Sequence, residues 1–270
     1  MIRIIILINA LLQCCICKPQ PGPALDHSTR KSDMKKLLLP ALLACMVLAP
    51  AQAHHVWIEQ DGKTATLQFG EFGDNLRETS PGLLDKFVTP SATLLGPRGE
   101  QPLKLTKTAQ GFVLSRTAAP GEAIVVEEAS YPYFENTRDG KTTRLAWTPA
   151  ARYVTTFIAQ EPKLTFDIVP TGQQGQFRVV YKGQPAPKVK VSAVIPNGWS
   201  KEATTDENGL VRFDLPWQGN YVIEAHFEDK QPGERNGKAY DTASFVTALS
   251  FRHASGAPAL AAGPAATPGK

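Results

Sequence analysis

Gly219-Asn220-Tyr221-Val222-Ile223-Glu224-Ala225-His226-Phe227 alternates with a period of two. Tyr221, Ile223, Ala225 and Phe227 form an apolar set, and Val222, Glu224 and His226 share the opposite face. This is the pattern of a half-buried strand, with Gly219 opening it. Working outward, Gln176–Tyr181 and Val189–Val194 alternate in the same way, and Phe166–Val169 stops at Pro170. Thr205-Asp206-Glu207-Asn208-Gly209 reads as a tight turn before Leu210–Leu215, and Ala243–Phe251 reads as the closing strand. Short runs bounded by Gly, Pro, Asn or Asp define an all-β chain of the sandwich type.

The preceding half carries weaker runs of the same kind. Strands are expected at His55–Glu59, Ala65–Phe69, Ala92–Leu95, Leu103–Thr106, Gly111–Arg116, Glu122–Ala129 and Tyr153–Ile158. Asp61-Gly62, Pro97-Arg98-Gly99 and Pro120-Gly121 supply turns. Tyr131 to Trp147 reads as a long connection. The expected organisation is two immunoglobulin- or transthyretin-like β-sandwich modules, residues 54–160 and 164–253, with a junction near Gln160–Lys163. Residues 254–270 are Ala, Gly and Pro almost throughout and are expected to be a disordered tail.

The other end of the chain reads as a leader. Met34-Lys35-Lys36, the apolar run Leu37 to Ala49, Pro50 and then Ala51-Gln52-Ala53 make up a signal peptide, residues 34–53, with cleavage expected before His54. Residues 1–33 read as an upstream extension that translation from Met34 would omit. The mature chain is expected to be periplasmic. Leu42-Leu43-Ala44-Cys45 offers an alternative, in which Cys45 is lipidated. All four cysteines, Cys14, Cys15, Cys17 and Cys45, precede residue 54, so the mature chain can hold neither a disulfide nor a thiolate metal site.

The full chain has 29 Lys and Arg against 25 Asp and Glu; six of the former and two of the latter precede residue 54, which leaves 23 of each. That balance removes the electrostatic case for a nucleic-acid partner. No apolar run of the mature chain reaches the 18 or so residues of a membrane span, so no transmembrane segment is expected there.

Cleavage before His54 would leave His54-His55-Val56-Trp57 at the new terminus. A terminal histidine can close a chelate ring through its α-amine and its own Nδ1, and such nitrogens suit copper, nickel, cobalt and zinc. Alternation places His55, Trp57 and Glu59 on one face of the first strand and Val56 and Ile58 on the core face, so His55 and Trp57 are expected at the surface. Glu224 and His226, two apart on one strand face, are close enough to serve one metal. The candidate ligands are His54, His55, His226 and Glu224. His253 is expected beyond the last strand, in the tail region. Trp57, Tyr131, Tyr133, Phe134, Trp147 and Trp199 are candidates for a ligand groove or for packing.

Gly183-Gln184-Pro185-Ala186-Pro187-Lys188-Val189-Lys190-Val191, the turn at Thr205–Gly209 and Gly219-Asn220-Tyr221 together resemble a carboxypeptidase-regulatory-like, or prealbumin-like, repeat. The whole order is more specific: a signal peptide, His-x-x-Trp, Phe166-Asp167-Ile168-Val169-Pro170, the repeat, and a histidine after the Gly219 strand. It is similar to a family of uncharacterised periplasmic proteins described as periplasmic components of cobalt or nickel uptake. The resemblance implies metal handling, with an inner-membrane metal transporter as partner.

No Gly-x-Ser-x-Gly, His-Glu-x-x-His or phosphate loop is present, and the chain is not expected to be an enzyme. The first expectation is therefore a periplasmic protein that binds nickel, cobalt or copper for uptake or delivery. The alternatives are a sandwich module that binds protein or glycan with incidental histidines, and a copper oxygenase built on the terminal histidine. Fold alone does not separate these.

Overall fold

The structure is a computed structural model that describes residues 54–269. The leader, its cleavage site and the four cysteines lie outside the described residues. The first half of the described chain forms β1 (His55–Asp61), β2 (Thr64–Glu71), β3 (Leu76–Arg77), β4 (Ser91–Gly96), β5 (Gly99–Leu103), β6 (Leu105–Thr108), β7 (Gly111–Leu114), β8 (Ala123–Glu127), β9 (Phe134–Arg138) and β10 (Lys141–Val154). The second half forms β11 (Phe166–Pro170), β12 (Gln176–Tyr181), β13 (Gln184–Pro185), β14 (Lys190–Val194), β15 (Ser200–Thr204), β16 (Leu210–Arg212), β17 (Gly219–Asp229), β18 (Gly233–Arg235), β19 (Lys238–Tyr240) and β20 (Thr242–His253). The expected all-β class holds. One single-turn 3-10 segment, Leu83–Lys86, is the helical element among the described residues.

A central sheet runs in the order β15-β14-β17-β20-β10-β8-β4-β5, with β9 paired to β10. It is antiparallel except where β10 and β20 lie parallel, from Leu145 opposite Thr242 to Tyr153 opposite Ser250. A smaller sheet, β1-β2-β7-β6 with β3 on β2, covers one face. Another, β11-β12-β13 with β16 on β12, covers the other face. The alternation of β20 records this layering. Phe245, Leu249 and Phe251 enter the core shared with Phe166, Ile168, Phe177 and Val179, whereas Val246 enters the core shared with Val56, Ile58, Leu67 and Phe69.

The two expected segments therefore supply one core each, but they are joined through one sheet. The parallel pair β10–β20 carries a strand of the second segment back onto the first. Three local expectations change with it. Tyr131 to Trp147 is a connection only at its start; Phe134–Arg138 and Lys141–Val154 pair as a hairpin. The strand expected at Tyr153–Ile158 is instead the end of β10, which stops at Val154. Residues after His253, expected to be disordered, lie along the body. Ala257 N–H donates to the Pro216 carbonyl, Gly263 N–H to the Pro196 carbonyl, and Gly269 N–H to Glu78.

β1 meets the central sheet edge-first. The Ser250 hydroxyl of β20 donates to the Ile58 carbonyl at 2.7 Å and accepts the Ile58 N–H at 3.3 Å. Val56 and Ile58 then fall into the core closed by β4 and β8, as expected. The other face is not at the surface: Trp57 is fully buried against Phe72, Val194, Val222 and Ala248. A strand with covered sheet on both sides buries both of its faces.

Candidate functional site

The β1–β2 hairpin turns through Gly62 and Lys63, with Asp61 opposite Thr64, and this fixes His55 opposite Gly70. Extending the same register by one residue sets His54 opposite Glu71. Gly70 has φ +144°, and a Cβ there would stand 2.4 Å from the Leu76 carbonyl oxygen. Only glycine lets β3 approach this closely and bring Glu78 beside His54.

His54 Nε2 lies 2.7 Å from Glu78 Oε1, and its Nδ1 lies 3.6 Å from Glu71 Oε1. The ring also packs on Phe69, with centroids 5.1 Å apart. Glu78 is 1% exposed and accepts the Gly269 N–H at 2.9 Å through its second oxygen. The Glu78 carboxylate accepts, so Nε2 is the donor in this contact and Nδ1 is the ring nitrogen turned toward Glu71. A carboxylate holding one ring nitrogen while the other stays available is the usual support for a metal-ligating histidine.

On the other side of β1, His55 Nδ1 lies 3.7 Å from Glu224 Oε2 of β17. Glu71 stands within the electrostatic reach of His54, His55, Asp74 and Glu224 together. Burial pushes the Glu71 carboxyl up, and the two histidines pull against that shift. Burial also raises Glu224, to about 7, with the negative charge of Asp74 adding to it. His226 is exposed and shares a 2.9 Å hydrogen bond with the Ser244 hydroxyl. Partial burial and then the proximity of His55 lower the His226 pKa.

The structure thus brings His55 to Glu224, a residue about 170 positions away in sequence, and His54 to Glu71 and Glu78, with the exposed His226 on the same strand as Glu224. His253 is elsewhere. It is the last residue of β20 rather than part of the tail, is 5% exposed, and sits edge-on to Tyr221. Glu71, Asp74 and Glu78 were not candidates from sequence. Glu71 had a signal, the hairpin register; for Glu78 the turn residues Gly73-Asp74-Asn75 mark the return of the chain, but the two-residue strand Leu76–Arg77 is too short to show a pairing pattern. Of the candidate groove aromatics, Trp57, Tyr131 and Trp147 are buried and pack.

The donor set is nitrogen and oxygen, which suits a first-row divalent ion. Two atoms bonded to one tetrahedral ion at about 2.1 Å stand about 3.4 Å apart. The 3.6 and 3.7 Å separations are of that order and are too long for hydrogen bonds. Among the described residues, no three His, Cys, Asp or Glu side chains already stand in metal-holding geometry.

A layered all-β protein with two histidine–carboxylate pairs where its first strand meets the central sheet is what fold and geometry define. Residues 51–229 match the family described as Domain of unknown function (DUF4198), and the chain belongs to that family. No curated protein and no solved structure matches the chain.

Proposed function

We propose that the mature chain is a periplasmic binding protein for a divalent transition metal, nickel, cobalt or copper, that serves uptake or delivery without catalysis. The observation that supports this most is the state of His54. Its Nε2 is held by buried Glu78, and its Nδ1 is the ring nitrogen that this contact does not use. Nδ1 is the atom that a free α-amine on the same residue would join in a chelate. The reading rests on cleavage before His54, which creates that amine. His55, Glu71 and Glu224 would complete the set, and His226 would stand in reserve at its edge. The resemblance to periplasmic components of cobalt or nickel uptake agrees with this, and it suggests an inner-membrane transporter as the receiving partner.

Two measurements test the proposal. The intact mass of protein recovered from the periplasm should match a chain that begins at His54. Calorimetry on that protein should show one tight site, with copper bound above nickel and zinc in the usual order. One extra residue ahead of His54 displaces the amine and should weaken binding far more than His253→Ala does. Equal affinity with and without the added residue would remove the terminus from the site.

A further inference from the structure

Residues 254–269 cross the body at three stations. At the first, Ala257 forms a parallel bridge with Trp217; its N–H donates to the Pro216 carbonyl, and its own carbonyl accepts the Gln218 N–H. At the second, Gly263 donates to the Pro196 carbonyl and accepts from Asn75 Nδ2 at 2.8 Å. At the third, Gly269 donates to Glu78 Oε2 at 2.9 Å and packs against Leu83. Pro196 follows β14, which pairs with β17 through Ser192 opposite Glu224. Asn75 lies between Glu71 and Glu78, beside Asp74. The segment therefore spans from the layer that supplies Glu224 to the layer that supplies His54 and Glu71. It ends on the carboxylate that orients His54.

Resting on the metal-binding reading above, we propose that residues 254–269 form a strap that governs release of the metal. Docked, it satisfies Glu78, holds His54 in its ligating orientation and ties the two ligand-bearing layers together. Undocked, it leaves a buried carboxylate short of one donor and lets the His54 ring turn. Ala, Gly and Pro suit a strap, because such a segment docks through backbone groups and carries little side-chain entropy to lose. The coupling is reciprocal: if the docked strap tightens metal binding, bound metal must tighten the strap by the same factor.

The test uses the periplasmic protein beginning at His54, a version ending at His253, and a full-length Gly269→Pro variant that removes the donor to Glu78 and sets a ring beside Leu83 and that carboxylate. Nickel is loaded, and its loss to excess chelator is followed in time. The truncated chain should release nickel about tenfold faster, the scale of one hydrogen bond to a charged group, and Gly269→Pro should shift the rate the same way. Nickel should also slow digestion of the segment by carboxypeptidase. Equal release rates in all three proteins, with digestion indifferent to nickel, would overturn the strap and leave the metal site standing. Failure of the intact protein to bind nickel, cobalt or copper would overturn both. If truncation prevents folding, Gly269→Pro and the digestion assay decide the matter.

Discussion

At Glu224, burial and the charge of Asp74 lift the carboxyl from its ordinary 4.5 to about 7. The folded chain thus holds a proton there that the unfolded chain has released. Between those two values the folded state binds more protons, so the stability of the metal-free protein should fall as pH rises from about 4.5 to about 7. A full conversion of the shift is about 3 kcal/mol. The side chain keeps 21% of its exposure, and the expected effect is nearer about 1–2 kcal/mol. Glu224→Gln should therefore be the more stable protein at pH 8 with chelator present, and close to wild type at pH 4.5. Urea unfolding at the two pH values checks this. The same substitution should weaken metal binding, because it removes an anionic oxygen ligand. A variant that gains stability while losing metal would mark Glu224 as kept for binding at a cost to stability; loss of both would make it a structural acid. Trp57 is the opposite case. It is fully buried among Phe72, Val194, Val222 and Ala248, and Trp57→Ala should cost about 3–5 kcal/mol in the same unfolding experiment.

The elements show which features of the chain can be read from pattern and which depend on partners. β12, β14 and β17 sit close to where alternation places them, because each has one face on a core and period two records that directly. The Asp206 turn was equally plain: its carboxylate accepts the N–H groups of Asn208 and Leu210, and Gly209 takes φ +72°. β1 was read correctly in its core face and wrongly in the other, since no pattern in His55–Glu59 says that β17 and β20 cover Trp57. β10 and β20 are buried at every position of Ala146–Val154 and Ala243–Phe251, as strands covered on both faces are, but the Thr, Ser, Pro and Arg within them break the apolar run that would have shown it in the sequence. The junction between β10 and β11 is anchored by a pair that no spacing reveals. Arg152 of β10 donates to Asp167 of β11 at 3.0 and 2.6 Å, and both side chains are fully buried. Asp167 also accepts the Lys163 and Leu164 N–H groups, and Arg152 reaches Gln160. Arg152→Met would strand that carboxylate and should cost about 3–5 kcal/mol. The double variant Arg152→Met/Asp167→Leu should recover much of the loss, and a thermal-melt series on the four proteins measures the coupling.

For the whole molecule, the candidate site and the stability problem share one cause. The candidate ligands stand on β1, just ahead of it and on β2 in the first sheet, and on β17 in the central sheet, so the candidate site depends on the layers meeting. The same layering makes residues 54–160 incomplete by themselves. Their core takes Val246 from β20, β1 rests its backbone on Ser250, and Trp57 packs on Val194, Val222 and Ala248. Without β20, the edge of β10 would also present unpaired N–H and C=O groups along the stretch from Leu145 to Tyr153. A fragment of residues 54–160 should therefore fail to fold as a monomer. Its amide exchange should be fast throughout, and its light scattering should show association through the open edge. Adding the complementary fragment, residues 161–269, should restore slow exchange in β1, β8 and β10 together. Metal binding should return in the same step, because reassembly is what brings Glu224 back to His55. An independently folded fragment 54–160 with slow exchange in β1 would mean that two separate modules, and not one shared sheet, organise the chain. The site would then be a contact between domains rather than a product of the fold.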